Sequence, residues 1–261
     1  MVSDAVAAPR RRTAAVPLLV AAVLVAGTAW AFWPQVADNA ALLALWMPVL
    51  LLGFLQNILI GAVAIAAGTA AGLLVGALQI SPVRPLRWPA RAFVLFFRNS
   101  PWLVFIYFMT YILPFEIVLG RSYLPFPDWL KATVGLALPA SANVAEIFRG
   151  AIMSIPSAQW DAASCLSFSR SQIFRLIILP QCLRRMLPPW MNLYAIITKG
   201  TVLASLVGVT EVLTTAQRAA NSVHRTDFTL LVYLTVFLLF FLYCYPIARL
   251  TRRLERRHAG R

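Results

Sequence analysis

The sequence predicts an all-α integral membrane domain, a bundle of about six transmembrane helices. Three observations predict it. The chain of 261 residues is 61% hydrophobic and only 12% charged, whereas a soluble domain carries about a quarter charged residues. Its apolar residues fall in blocks of about 20, the length that crosses roughly 30 Å of hydrocarbon. Its basic residues, which give a formal net charge of +14, gather between alternate blocks.

The blocks follow in order. The first, near 13–33, comes after Arg10-Arg11-Arg12 and has the outline of a secretory leader. It is long for a leader's apolar core, and Trp30, Phe32, Trp33 and Pro34 stand where a cleavage site needs small residues. An uncleaved anchor with an interfacial tryptophan belt is expected. The second block, 49–78, carries Gly68, Gly72 and Gly76 at four-residue spacing, a pattern that packs one helix closely on another. The third spans 92–113 and the fourth 130–152. The fifth, 190–213, and the sixth, 228–250, complete the set. Asn143 and Glu146 interrupt the fourth block, and Lys199 interrupts the fifth.

Charge placement orients this topology. With the N-terminus inside, eighteen Lys and Arg residues lie on cytoplasmic segments: Arg10 to Arg12, the 84–98 group, Arg149, the 170–185 group and the C-terminal group from Arg249. Four lie outside, namely Arg121, Lys131, Arg218 and Arg225. The positive-inside rule then puts both termini in the cytoplasm. The same asymmetry explains the net charge through topology and anionic lipid. Nucleic-acid binding is not expected, because no basic soluble domain exists to carry it.

Between the fourth and fifth blocks lies a patterned polar stretch, 154–189. Pro156 and Ser157 open a short helix, with Ser157 as N-cap. Ser169 and Gln172 have capping-box spacing for a second helix through Phe174 and Ile178. Pro180 is expected to end that helix near Leu179. A compact hairpin of this kind suits docking to a soluble partner. Cys165, Cys182 and Cys244 form no CxxC pair, His224 and His258 stand alone, and no phosphate-binding GxxxxGK[ST] loop is present. No catalytic residue, metal site or cofactor is expected, and if the chain drives uphill transport a separate subunit supplies the energy.

The residues Gln159-Trp160-Asp161-Ala162-Ala163, then Leu179-Pro180-Gln181, Leu187-Pro188-Pro189, Asn192 and Lys199, resemble the cytoplasmic EAA loop of permease subunits of ATP-binding cassette importers. The nearest class is that for polar amino acids. Phe97-Arg98-Asn99-Ser100-Pro101, Ala145-Glu146-Ile147-Phe148-Arg149-Gly150 and Val207-Gly208-Val209-Thr210-Glu211-Val212 extend the resemblance in family order over roughly 56–255. It implies a separate ATPase that takes Gln159, Trp160, Asp161, Ala162, Ala163, Leu166 and Ser167 into a cleft. It further implies a solute-binding protein, a second permease subunit (the same chain or a paralogue) and a place in the cytoplasmic membrane. A stand-alone channel or secondary carrier is the alternative.

The family pattern divides the chain into 1–47 (tail, extra anchor and external linker), 48–255 (the permease domain) and 256–261 (a basic tail). Asn143, Glu146 and Lys199 are its candidate pathway residues. Glu146 and Arg149 can pair at i and i+3. The sequence departs from the family at Asp161, where the resemblance expects glutamate, and at Ser167, where it expects glycine; a side chain there would strain a turn with positive φ. Gly200 and Val202 replace an acidic and a hydroxyl residue, which leaves Lys199 without its acid. Snorkelling toward the cytoplasmic interface is the expectation for Lys199.

Overall fold

A computed structural model describes residues 33–119 and 122–259. Except for Trp33, the predicted first span lies outside the described residues, as does Arg10-Arg11-Arg12. Eight helices and one hairpin follow in order among the described residues: α1 (Trp33–Gln79), α2 (Arg84–Asn99), α3 (Trp102–Ile112), β1 (Glu116–Leu119), β2 (Ser122–Pro125), α4 (Asp128–Met153), α5 (Ser157–Cys165), α6 (Arg170–Val207), α7 (Val212–Val223) and α8 (Thr226–Ala259).

Three of these helices are long and apolar enough to cross a membrane: Ala37–Gln79, Arg170–Val207 and Thr226–Arg256. The bent pair α2–α3 makes a fourth if counted as one span. Helix α4 has the length to cross as well, 26 residues or about 39 Å. It is less apolar because lipid hardly touches it. Ala132, Leu136, Ala140, Val144, Ala145 and Phe148 are buried among α1, α2, α3 and α6, so protein rather than hydrocarbon is its solvent.

The α1–α4 seam is the longest interface in the bundle, and the glycine stripe makes it. A Cβ on Gly72 would stand 2.6 Å from the Ser141 carbonyl oxygen, and one on Gly68 would stand 2.7 Å from Ala140 Cβ. Gly76 backs onto Phe148 and the Ala145 carbonyl in the same way. Backbones approach this closely only where no side chain intervenes. The stripe therefore packs helices, as its spacing predicts.

Several boundaries differ from expectation. Helix α1 begins at Trp33, well before the predicted 49, and Leu42, Leu43 and Trp46 pack on α7 and α8. The predicted third span is not one helix. It breaks between Asn99 and Trp102 with a bend of 107°, because Pro101 lacks an amide hydrogen and forces Ser100 into an extended conformation (φ −97°, ψ 149°). Stacking of Phe97 on Phe105, with ring centres 4.9 Å apart, closes the inside of the bend.

The predicted fifth span starts earlier and ends earlier. Helix α6 runs through Pro180 instead of stopping before it. Its winding widens to a π-helix over Ile173–Ile178 and returns to α at Leu179. Pro180 then sits in a first turn, where its missing donor and its ring are tolerated. At the far end a 3-10 segment, Thr201–Val207, closes on Gly208 at φ 86°. Only then does α7 begin, with Glu211 accepting from the Leu213 and Thr214 amides as its N-cap.

The hairpin is the one departure from all-helical structure among the described residues. Its two strands pair antiparallel from Glu116↔Pro125 to Leu119↔Ser122.

Candidate functional site

The polar stretch between α4 and α6 folds into a compact unit. Pro156, not Ser157, occupies the N-cap of α5, and no side chain caps that helix. Proline's fixed φ suits the entry without one. The box between Ser169 and Gln172 forms as predicted: Ser169 N donates to Gln172 Oε1 at 2.8 Å, and Gln172 N donates to Ser169 Oγ. Beneath α5 lies an apolar cluster of Phe148, Ile152, Ile155, Ile173, Ile178 and Met186. Arg185 donates to the Ser154 carbonyl at 2.6 Å, tying the start of the loop to α6.

This packing sorts the candidate coupling residues by direction. Ala163 is 2% exposed and belongs to the cluster, with Trp160 packed against it. Gln159, Asp161, Ala162, Leu166 and Ser167 are exposed. Gln159, Ala162 and Leu166 fall at i, i+3 and i+7, one side of a helical turn. Leu166 is 72% exposed, a large apolar side chain offered outward from a fixed base. Ser167 adopts φ 61°, so the residue where glycine was expected does sit in the left-handed region. That conformation costs a residue with a Cβ about 1–2 kcal/mol.

The candidate pathway residues do not meet at one place. Glu146 takes Arg149 Nε at 3.0 Å, as the i, i+3 spacing predicts, and Arg98 approaches the same carboxylate at 3.8 Å. It therefore clasps α4 to the end of α2. Asn143 donates to the Pro139 carbonyl at 2.8 Å and so spends a donor on its own helix. Lys199 is exposed and makes no ion pair or hydrogen bond among the described residues. It lies fourteen residues beyond Arg185 on α6, or about 21 Å of helix rise.

Two features went unread in the sequence. The Glu211 carboxylate is completely buried and forms no ion pair among the described residues. Besides the two amides it caps, it accepts from Asn57 Nδ2 at 3.0 Å, and Asn57 Oδ1 in turn accepts from the Val212 amide. Asn57 also donates to Thr201 Oγ1 at 3.0 Å, so one network joins α1 to both sides of the α6–α7 break. The available signal was a lone asparagine in an apolar block and an acid just ahead of the 212–223 segment. The second feature is Gln79, 2% exposed, whose side-chain oxygen has no partner among the described residues. It lines a cleft of about 290 Å³ with Arg91, Arg98, Glu146 and Arg149.

A bundle with several helices long and apolar enough to cross a membrane, joined by a compact polar loop, has the build of a membrane component. The chain belongs to the family described as binding-protein-dependent transport system inner membrane component, whose model matches residues 68–259. A probable amino-acid ABC transporter permease of Bacillus subtilis, YckA, is 33% identical over 212 residues, covering 81% of this chain and 90% of that protein. The L-cystine transport system permease TcyB of the same organism is 29% identical, with 87% of each chain covered. Among solved structures, an amino acid ABC transporter with histidines superposes with a TM-score of 0.70 at 22% identity, over 82% of this chain and 96% of that one. This membrane subunit is not an enzyme; ATP hydrolysis belongs to a separate subunit. Family membership brings with it an ATPase partner and a second permease subunit, in the inner membrane.

Proposed function

We propose that this permease imports a polar amino acid or related amine, delivered by a solute-binding protein, and couples to its ATPase through the exposed face of the 154–189 loop. The observation that carries the coupling assignment is the sorting of the loop residues. The face formed by Gln159, Ala162 and Leu166 is free, Asp161 is exposed elsewhere on the same helix, and Ala163 with Trp160 holds the helix to the cluster beneath. A surface held this firmly transmits a push instead of absorbing it. Exposed Leu166 is the apolar anchor of the contact, and Asp161 supplies its charge. The substrate class follows what the relatives are named for, amino acids in one and L-cystine in the other.

Of the three candidate pathway residues, Lys199 faces the translocation route. An unpaired ammonium at mid-membrane depth is costly unless it meets water or an anion, and an amino-acid carboxylate is such an anion. Glu146 and Asn143 shape the inner end of the bundle. Both termini are cytoplasmic, in keeping with the charge asymmetry.

The test is substrate-stimulated ATP hydrolysis in the reconstituted complex. Leu166→Asp is expected to abolish stimulation while the subunit stays folded, because the side chain is 72% exposed. Undiminished stimulation would overturn docking at this face. A reporter fused after Arg261 should be active only in the cytoplasm; activity outside would invert the topology.

A further inference from the structure

We propose that the cleft between the cytoplasmic ends of α1, α2 and α4 is a binding site for an anionic phospholipid of the inner leaflet, one whose headgroup carries hydroxyl donors, as phosphatidylglycerol does. This assignment is independent of what the permease carries.

Charge comes first. Arg91, Arg98 and Arg149 line the cleft against a single carboxylate, Glu146. Glu146 is engaged by Arg149 and Arg98, and Arg91 has no carboxylate partner among the described residues. The cleft keeps an excess of positive charge and a free guanidinium, the group that best grips a phosphate. Its volume of about 290 Å³ accommodates a headgroup.

The second observation is Gln79. Its side chain is almost completely buried, yet the side-chain oxygen has no partner among the described residues. A buried acceptor left unmade is expensive. A phosphate offers it nothing, but a glycerol hydroxyl beside the phosphate would donate to it. The two groups lining one cleft thus ask for an anion and a hydroxyl on the same ligand.

The third observation separates a lipid from a soluble ligand. Helix α2 is amphipathic, with Arg84, Arg87, Arg91 and Arg98 among exposed apolar side chains. Trp88 is 77% exposed, Leu95 69% and Phe96 60%. Leu95 itself lines the cleft. A basic amphipathic helix with an outward tryptophan lies at the membrane surface. The cleft is therefore bordered by apolar surface where acyl chains run, and basic pockets between helices on the cytoplasmic side hold anionic headgroups.

Native mass spectrometry of the full-length permease, titrated with phosphatidylglycerol, tests the site. Arg91→Gln leaves the Glu146 clasp intact and is expected to weaken binding about tenfold, the loss of one charge-assisted bond. Arg252→Gln, at the far end of α8, is expected to leave it unchanged. Gln79→Leu should retain anion binding but lose the preference for phosphatidylglycerol over phosphatidylmethanol, which has the same charge and no hydroxyl. Melting curves of each variant verify folding, and the Gln79 variant carries the test if Arg91→Gln does not fold. Equal phosphatidylglycerol affinity in wild type and the Arg91 variant would overturn the proposal. Displacement of the lipid by inorganic phosphate or by free glutamine would overturn it too, by marking the cleft as a site for a soluble ligand.

Discussion

Replacing one hydrogen by a methyl group at Gly72 should separate two effects that usually travel together. Alanine is the better helix former by about 1 kcal/mol, so Gly72→Ala gains that much from the helix. Against it stands the seam with α4. The new Cβ would lie 2.6 Å from the Ser141 carbonyl oxygen, 2.7 Å from Val144 Cβ and 2.9 Å from Val144 Cγ1. Two of these atoms are rigidly placed, so α1 and α4 must part by at least about 0.4 Å to reach 3.0 Å. Gly68 and Gly76 hold the same seam above and below, and the displacement spreads along it. Overpacking of this sort costs about 1–3 kcal/mol. Gly150→Ala is the matched control. It lies on α4, and a Cβ there would meet nothing within 4 Å, so only the helix gain of up to about 1 kcal/mol remains. The propensity gain cancels between the two variants, and their difference is the overpacking cost itself. At about 2–4 °C per kcal/mol for a chain of this size, Gly72→Ala should melt roughly 2–12 °C below Gly150→Ala in detergent. Equal melting temperatures would refute the close approach of α1 and α4 and the register derived from it.

Four further outcomes are expected. Glu211→Gln keeps the size of the buried cap but turns an amide group toward donors that now meet a carboxylate, and should cost about 1–3 kcal/mol; chemical denaturation measures it, and an unchanged midpoint would remove the network joining Asn57 to α7. Ser167→Gly relieves a left-handed residue and should stabilise the loop by up to about 1 kcal/mol, net of the entropy glycine adds to the unfolded chain; faster amide exchange across 163–169 would contradict it. Ala163→Glu, unlike changes at the exposed face, buries a charge in the loop's own cluster and should lower the yield of folded protein, so normal expression with intact stability would place Ala163 outward. Lys199→Met should reduce uptake about ten- to a hundredfold if the ammonium meets a substrate carboxylate, with Lys199→Arg also impaired because a planar fork does not replace a compact cation; full uptake in both would remove Lys199 from the pathway.

Much of this protein is legible in its sequence, and the reason is local. Block length and the 18-to-4 distribution of positive charge fix the class and suggest the orientation, because lipid acts on each segment separately. The glycine stripe, the Ser169–Gln172 capping box and the Glu146–Arg149 pair are contacts within one helix or one repeating pattern, so their spacing alone predicts them. The positive φ at Ser167 agrees with what the family resemblance implies, which expects glycine there, and not with any spacing in the chain itself.

What only the tertiary structure decides is where two distant segments compete for one residue. Pro101 breaks a helix that hydropathy joins, while Pro180 does not break one, because a π-turn ahead of it lets α6 continue under the loop. Ala162 and Ala163 are identical letters in sequence, yet one faces outward and the other closes the cluster under α5; that choice belongs to Ile155 and Ile178 as much as to α5 itself. The Asn57–Glu211 network joins residues 154 apart in the chain, and Gln79 meets Arg91 and Arg149 only once α1, α2 and α4 have packed. A sequence pattern carries the periodicity of a single element, and the pairing of faces between elements is set by the packing of the whole bundle.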